Sequence, residues 1–238
     1  MPDSYDDLVA KAGRVRGLVP LAQIDIMDGI FVRSRSWPYL PTPGFRRAGA
    51  TGGVIKDKHF TALTNQDEGM PYWEELDYEI DLMIAEPEKH IDEWLPLGAS
   101  RLIFHIETIK NHAAFWSHDI FKEGARDISG EKVVEVGLAI DLDTSLDTLE
   151  VHIAKVDFVQ CMGIAKIGYQ GQPFDERALD RVNQLRVKYP NLTISVDGGV
   201  NQETASLLKA AGANRLVAGS AIFGANDAAL AIRELRKA

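Results

Sequence analysis

LTISVDGGVNQETASLLKAAGANRLVAGSAIFG, residues 192–224, is the stretch whose reading decides the fold. It opens on Leu192–Val196, a short apolar run without strict polar alternation, as a parallel strand covered on both faces requires. Asp197 closes that run, and Gly198 and Gly199 follow. Asn201 suits the N-cap of a helix over Glu203–Ala211, and Gly212 suits the residue that ends it. A second strand is expected over Leu216–Ala218, followed at once by Gly219 and Ser220. Strand, glycine turn, helix and strand in that order form the repeating unit of a parallel α/β sheet.

The same alternation extends outward through the chain. Further strands are expected over Leu21–Met27, Tyr78–Ile84, Leu102–Ile106, Val133–Ile140 and Phe158–Met162. Helices are expected over Tyr5–Gly17, Glu88–Leu97, about Ile109–Lys122, Leu146–Ala154, Asp175–Lys188 and Asp227–Lys237. In the first of these, Ser4 and Asp7 fit a capping box, and Leu8, Ala12 and Val15 share one face. Seven strands after an opening helix imply a single (β/α)8 TIM barrel over residues 1–238. Either its first strand is absent, or the barrel is open at that place. The connection Val32–Leu76 breaks the pattern. It carries Trp37, Pro38, Pro41, Pro43, Gly44 and a glycine-rich patch at Gly49–Gly53. It is expected to be a long irregular insertion over about 33–76, of the kind that forms lids and binding loops.

The composition narrows the partners. Of the 238 residues 45% are hydrophobic, enough for a sizeable core, and the net charge is -9. Such an acidic chain is a poor partner for nucleic acid. It can still hold a small phosphorylated ligand through backbone amides. The single cysteine, Cys161, allows no intramolecular disulfide, so a reducing, cytoplasmic location is expected. No run approaches ~20 apolar residues, and the MPDSYDDL start is unlike a signal peptide, so no membrane partner is expected. An exposed strand edge would favour a homo-oligomer.

In parallel barrels chemistry sits where strands end. Several acids fall there: Asp25 and Asp28 in QIDIMDG, Glu79 and Asp81 in YEIDLM, His105 and Glu107 in FHIET, Asp141 and Asp143 after Ile140, and Asp197. Two carboxylates on opposite faces of a substrate carbon can remove a proton and return it on the other side. The enediolate between those steps needs a cation or oriented donors. Equally, strand-end acids cap helices or pair with Lys and Arg. The Gly198/Gly199 and Gly219/Ser220 pairs suit a phosphate cradle, or simply tight turns. GIAKIGYQGQPF, residues 163–174, reads as a lid or as a surface loop. Met27, Met83 and Met162 each close a strand, as core filler or as an apolar wall beside a reacting centre.

Taken together, IDIMDGIFV (24–32), IDLMIAEPEKHIDEWLPLGASRLIFHIE (80–107), VGLAIDLDT (136–144), VDFVQCM (156–162), GYQGQPF (168–174) and residues 194–224 resemble the ribulose-phosphate 3-epimerases, in family order. The resemblance implies a sugar-phosphate epimerase acting on a ketopentose phosphate. It places the acid/base pair on Asp25 and Asp197, the phosphate site on Gly198, Gly199, Gly219 and Ser220, and the lid at Gly171. The methionine wall falls on Met27, Met83 and Met162. Asp25 and Asp197 also fall on two of the family's metal ligands. Its two histidine ligands fall on Gln23 and Asp81, so the implied metal set is Gln23, Asp25, Asp81 and Asp197. Oxygen donors of this kind favour Mg or Mn over Zn. A related phospho-sugar lyase or aldolase, and a non-catalytic sugar-phosphate-binding homologue, stay open as alternatives.

Overall fold

The computed structural model describes residues 1–39, 57–122, 125–126 and 132–238. They divide into two compact units. The first comprises Met1–Phe104 with Thr108–Val134, and the second His105–Glu107 with Glu135–Ala238.

In the first unit, β1 (Leu21–Met27), β2 (Asp77–Met83) and β3 (Arg101–His105, its last residue in the second unit) run parallel. The β1–β2 register sets Gln23 beside Glu79, Asp25 beside Asp81 and Met27 beside Met83. Side chains alternate along a strand, so each of these triplets lies on one face. Ile24, Ile26, Ile80 and Leu82 occupy the opposite face and are buried. A two-residue strand, β4 (Ala125–Arg126), pairs antiparallel with the start of β5 (Lys132–Ile140).

Helix Tyr5–Val15 buries Leu8, Ala12 and Val15 as its spacing requires. Its expected capping box is half made. The Ser4 hydroxyl accepts from the Asp7 N–H at 3.1 Å, but the Asp7 carboxylate accepts from the Asp3 N–H at 2.8 Å and from Lys11. Asp7 is one methylene shorter than the Glu of a full box, and Lys11 one turn on competes for it.

The connection expected to be irregular over 33–76 is ordered in part. Asp57 caps a helix over Lys58–Thr64, accepting from the N–H groups of His59 and Phe60. Trp37, Tyr39, Phe60 and Leu63 are buried, and Phe60 packs 5.1 Å from the Trp94 ring. The amphipathic spacing of Phe60 and Leu63 is three residues, too short a signal beside so many prolines and glycines. Pro41, Pro43, Gly44 and the Gly49–Gly53 patch lie outside the described residues.

In the second unit, β5, β6 (Phe158–Met162), β7 (Thr193–Asp197) and β8 (Arg215–Val217) are parallel neighbours in that order. Gly137 pairs with Phe158, and a methyl group at Gly137 would stand 2.5 Å from that ring, so the aromatic fills space the glycine leaves. Helix Arg177–Lys188 buries Ala178, Val182 and Leu185, and helix Gln202–Ala211 buries Thr204, Ala205 and Leu208. Asn201 and Thr204 form a complete capping box, and Gly212, with φ of 113°, ends that helix as the sequence required.

Three expected helices are broken. Residues 88–97 form two 3-10 turns, Pro87–Lys89 and Leu95–Leu97, around the short helix Ile91–Trp94. The 109–122 segment is split between His112–Ser117 and Asp119–Lys122, and 146–154 between Asp147–Glu150 and the turn Ile153–Lys155. Pro96 explains the first break, because it has no N–H to continue the ladder. Among the described residues no helix is long and apolar enough to cross a membrane.

Candidate active site

In the first unit the site residues gather at the end of β1 and β2. The Gln23 side-chain amide donates to Asp25 Oδ1 at 2.9 Å, and the terminal ammonium of Met1 stands 3.4 Å from Asp25 Oδ2. The carboxylate oxygens of Asp25 and Asp81 lie within 4.8 Å of each other. Asp81 is fully buried, while a fifth of the Asp25 side chain is exposed. Two carboxylates this close, one of them out of solvent, call for a cation or a shared proton between them. Met27 and Met83, paired in register, are buried beside them.

Two residues that sequence reasoning left without a role hold this end together. Ser36 is fully buried; its hydroxyl donates to the Asp25 carbonyl at 2.8 Å and accepts from the Met27 N–H at 2.9 Å. The chain thus returns to pin the last residues of β1, and nothing in RSRSWP marked that serine. Asp28 is 3% exposed and accepts three backbone N–H bonds, from Ile30, Phe31 and Ala85. The first two make the turn after β1, and the third ties it to the segment after β2. Asp28 is therefore fully engaged by the backbone, whereas Asp25 is held by a side chain and points where a ligand can reach it.

In the second unit the residues gather at the ends of β6, β7 and β8. Met162 pairs in register with Asp197, and Asp197 with Val217. Gly198 and Gly199 follow with φ of 104° and 69°, a region that side chains avoid. Both are also crowded by the 163–174 segment. A methyl group at Gly199 would stand 2.6 Å from Phe174 Cα, and one at Gly198 would stand 2.8 Å from Ile164. The Gly163 N–H donates to the Asp197 carbonyl at 2.6 Å, fastening the start of that segment to the end of β7. Gly219 is followed by the exposed Ser220, which opens a short helix over Ser220–Phe223. Gly171, with φ of 70°, has open space around it. Lys166 lies over the Tyr169 ring at 4.7 Å, so part of this loop's polar reach is folded back on itself.

Among the metal-ligand positions, Gln23 turns its amide N–H toward Asp25, so it orients that carboxylate and would offer a cation only its carbonyl oxygen. Gln23, Asp25, Asp81 and Asp197 are all oxygen donors, a set that fits magnesium or manganese and not a zinc site built on imidazole.

The Ribulose-phosphate 3 epimerase family model matches residues 55–223. That span contains Asp81, Asp197 and all four residues of the glycine pairs; Gln23, Asp25 and Met27 lie before it. A ribulose-phosphate 3-epimerase of Schizosaccharomyces pombe is 35% identical over 68% of this chain and 67% of its own length. One of Eremothecium gossypii is 33% identical over 63% of this chain and 58% of its own length. The alignments thus span six- to seven-tenths of these relatives. The crystal structure of KGPDC from Streptococcus mutans in complex with a phosphorylated sugar covers 99% of this chain and 92% of its own, with a TM-score of 0.61 at 14% identity. At that identity the likeness shows the fold, which is that of the TIM-barrel enzymes.

Proposed function

Because this chain belongs to the ribulose-phosphate 3-epimerase family, we propose that it epimerises a ketopentose phosphate, ribulose 5-phosphate, at C3. Asp25 and Asp197 are the acid/base pair. One carboxylate takes the C3 proton, leaving an enediolate; the other, protonated, delivers a proton to the opposite face. No electrons are exchanged, and the two acids end with their protonation states swapped, to be reset by solvent. The observation that carries this reading is the end of β7. There Asp197 is followed by two glycines of positive φ and by the Gly163 contact, inside the span the family model matches.

Backbone amides at Gly198, Gly199, Gly219 and Ser220 hold the phosphate, and the segment around Gly171 closes over the sugar. Met27, Met83 and Met162 line the apolar side, which keeps water from the enediolate. Gln23 fixes the Asp25 carboxylate through its 2.9 Å bond, so the proton transfer begins from an oriented base. A magnesium or manganese ion on Gln23, Asp25, Asp81 and Asp197, when bound, supplies positive charge beside the enediolate oxygens. The KGPDC neighbour, crystallised with its sugar phosphate, supports a ligand of that class on this fold. A cytoplasmic location and a homo-oligomeric state complete the reading.

The test is NMR of D-ribulose 5-phosphate with the protein in D2O, with and without added Mg2+ or Mn2+. Xylulose 5-phosphate carrying deuterium at C3 is the expected product, formed faster with the cation. Carbon–carbon cleavage would make the chain a lyase instead. Binding without exchange at C3 would make it a non-catalytic homologue.

A further inference from the structure

A second grouping of metal-ligating side chains lies within the second unit and has no part in the proposed reaction. His105 ends β3, Glu107 follows two residues later, and Asp141 follows the last residue of β5. His105 Nδ1 is 3.8 Å from Glu107 Oε2 and 3.8 Å from Asp141 Oδ1. One atom from each of the three residues lies within 4.8 Å of the others. The imidazole is fully buried, and the Glu107 and Asp141 side chains are 17% and 27% exposed.

Two features distinguish this grouping from a set of ordinary ion pairs. The 3.8 Å separations are too long for hydrogen bonds from the imidazole to either carboxylate. They do match ligand atoms around one ion, where metal bonds of about 2.0–2.2 Å leave neighbouring donors roughly 3–4 Å apart. The second feature is that Glu107 is oriented by the backbone. Its Oε1 accepts from the Asp141 N–H at 2.9 Å, which turns Oε2 toward the imidazole and ties the two carboxylate-bearing segments together. Two acids drawn together beside a buried histidine need positive charge between them.

We propose that His105, Glu107 and Asp141 bind a divalent cation, as a site separate from the all-oxygen set of Gln23, Asp25, Asp81 and Asp197. One imidazole and two carboxylates suit a borderline ion such as Mn2+, Fe2+ or Zn2+, where the other set suits a hard one. His105 supplies the nitrogen, Glu107 the oxygen already turned toward it, and Asp141 the more exposed oxygen, on the side from which the ion enters.

The imidazole makes the two sites distinguishable without any measurement of activity. Untagged protein carrying Asp25→Asn and Asp81→Asn is titrated with Mn2+ alone, and the bound ion is counted by EPR. Its pulsed spectrum is then searched for nitrogen modulation from a coordinated imidazole. The expected result is one tightly held equivalent with that modulation. His105→Asn removes the modulation, and Glu107→Gln with Asp141→Asn weakens binding by about tenfold or more, the loss expected when charged ligands are replaced by neutral ones. Absence of a bound equivalent overturns the proposal, as does bound Mn2+ without nitrogen modulation, or modulation that survives His105→Asn. If the background variant does not fold, the same spectrum of the wild-type chain decides the matter, because the all-oxygen set contributes no imidazole nitrogen. An imidazolium bridging the two carboxylates would show as a chain that binds no ion there, and it too overturns the proposal.

Discussion

At the ends of β1 and β2 two carboxylates meet an amide; at the ends of β3 and β5 two carboxylates meet an imidazole. Both groupings arise for the same reason. Parallel strands deliver their last residues to one end, and acids placed there collect whether or not they share a task. What differs is the neighbour and the anchoring. Asp25 is held by the side chain of Gln23, so its orientation depends on one replaceable residue. Glu107 is held by a backbone N–H of the segment it faces. The first arrangement suits a carboxylate that must give and take a proton, and the second suits a fixed ligand. Position at a strand end therefore does not assign a role; the donors that surround the carboxylate do.

The largest expected effect tests that division directly. Asp25→Asn and Asp197→Asn each remove an acid/base group and should lower C3 deuterium exchange by roughly 10²–10⁴-fold. Glu107→Gln and Asp141→Asn, in the same assay with saturating Mg2+, should leave exchange within about tenfold, below the range of an acid/base group. Equal losses in the two groupings would mean that they act on one reaction, and the distinction between them would collapse.

A smaller effect sharpens the contrast in anchoring. Asp28 is surrounded by three backbone N–H donors and Glu107 by one. Asp28→Ala leaves buried donors unpaired and should cost about 2–4 kcal/mol of unfolding free energy. Glu107→Ala, with a single donor left near solvent, should cost about 1 kcal/mol. Urea unfolding followed by circular dichroism measures both. A cost for Glu107→Ala as large as for Asp28→Ala would show that the second grouping is part of the framework rather than a site built on it.

The first grouping was legible in the sequence and the second was only half legible. QIDIMDG, DLM and DGG carry the family's order of residues, so Gln23, Asp25, Asp81 and Asp197 could be named before any coordinates. FHIET and DLDT were visible as strand ends, but nothing in the spacing said that His105, Glu107 and Asp141 would converge, because that depends on the turn Ile106–Thr108 after β3. The strands themselves were read to within a residue, since runs of Val, Ile and Leu bounded by Gly and Asp signal a buried strand strongly. The short helices were not. Pro96 and the local turns at 111 and 151 divide patterns that look continuous to a 3.6-residue period. Ser36 and the Lys58–Thr64 helix were missed because their partners, the end of β1 and Trp94, are distant in sequence.

The smallest effect concerns Asp143, two residues beyond Asp141 and the nearest acid in sequence to the second grouping. It does not join that grouping in the way its spacing along the strand end suggests. Its carboxylate pairs with Arg177 at 2.7 Å, and Arg177 also grips Asp175 at 2.8 Å. The Arg177 side chain first, and then its backbone N–H, hold the Asp175 carboxyl below the usual carboxylate range. A depressed native pKa contributes stability above the unfolded value, near pH ~3.9, and that contribution is lost as pH falls through the native one. Arg177→Ala should therefore lower the melting temperature slightly at about pH 7, and the difference from wild type should shrink below about pH 4. Added salt should shrink it as well, because the pair is exposed. A difference that persists in acid and in salt would mean that Arg177 acts through packing of its stem rather than through charge. Asp143 would then be available to be counted with Asp141 and Glu107, and the second grouping would hold one acid more than the imidazole and two carboxylates assigned to it.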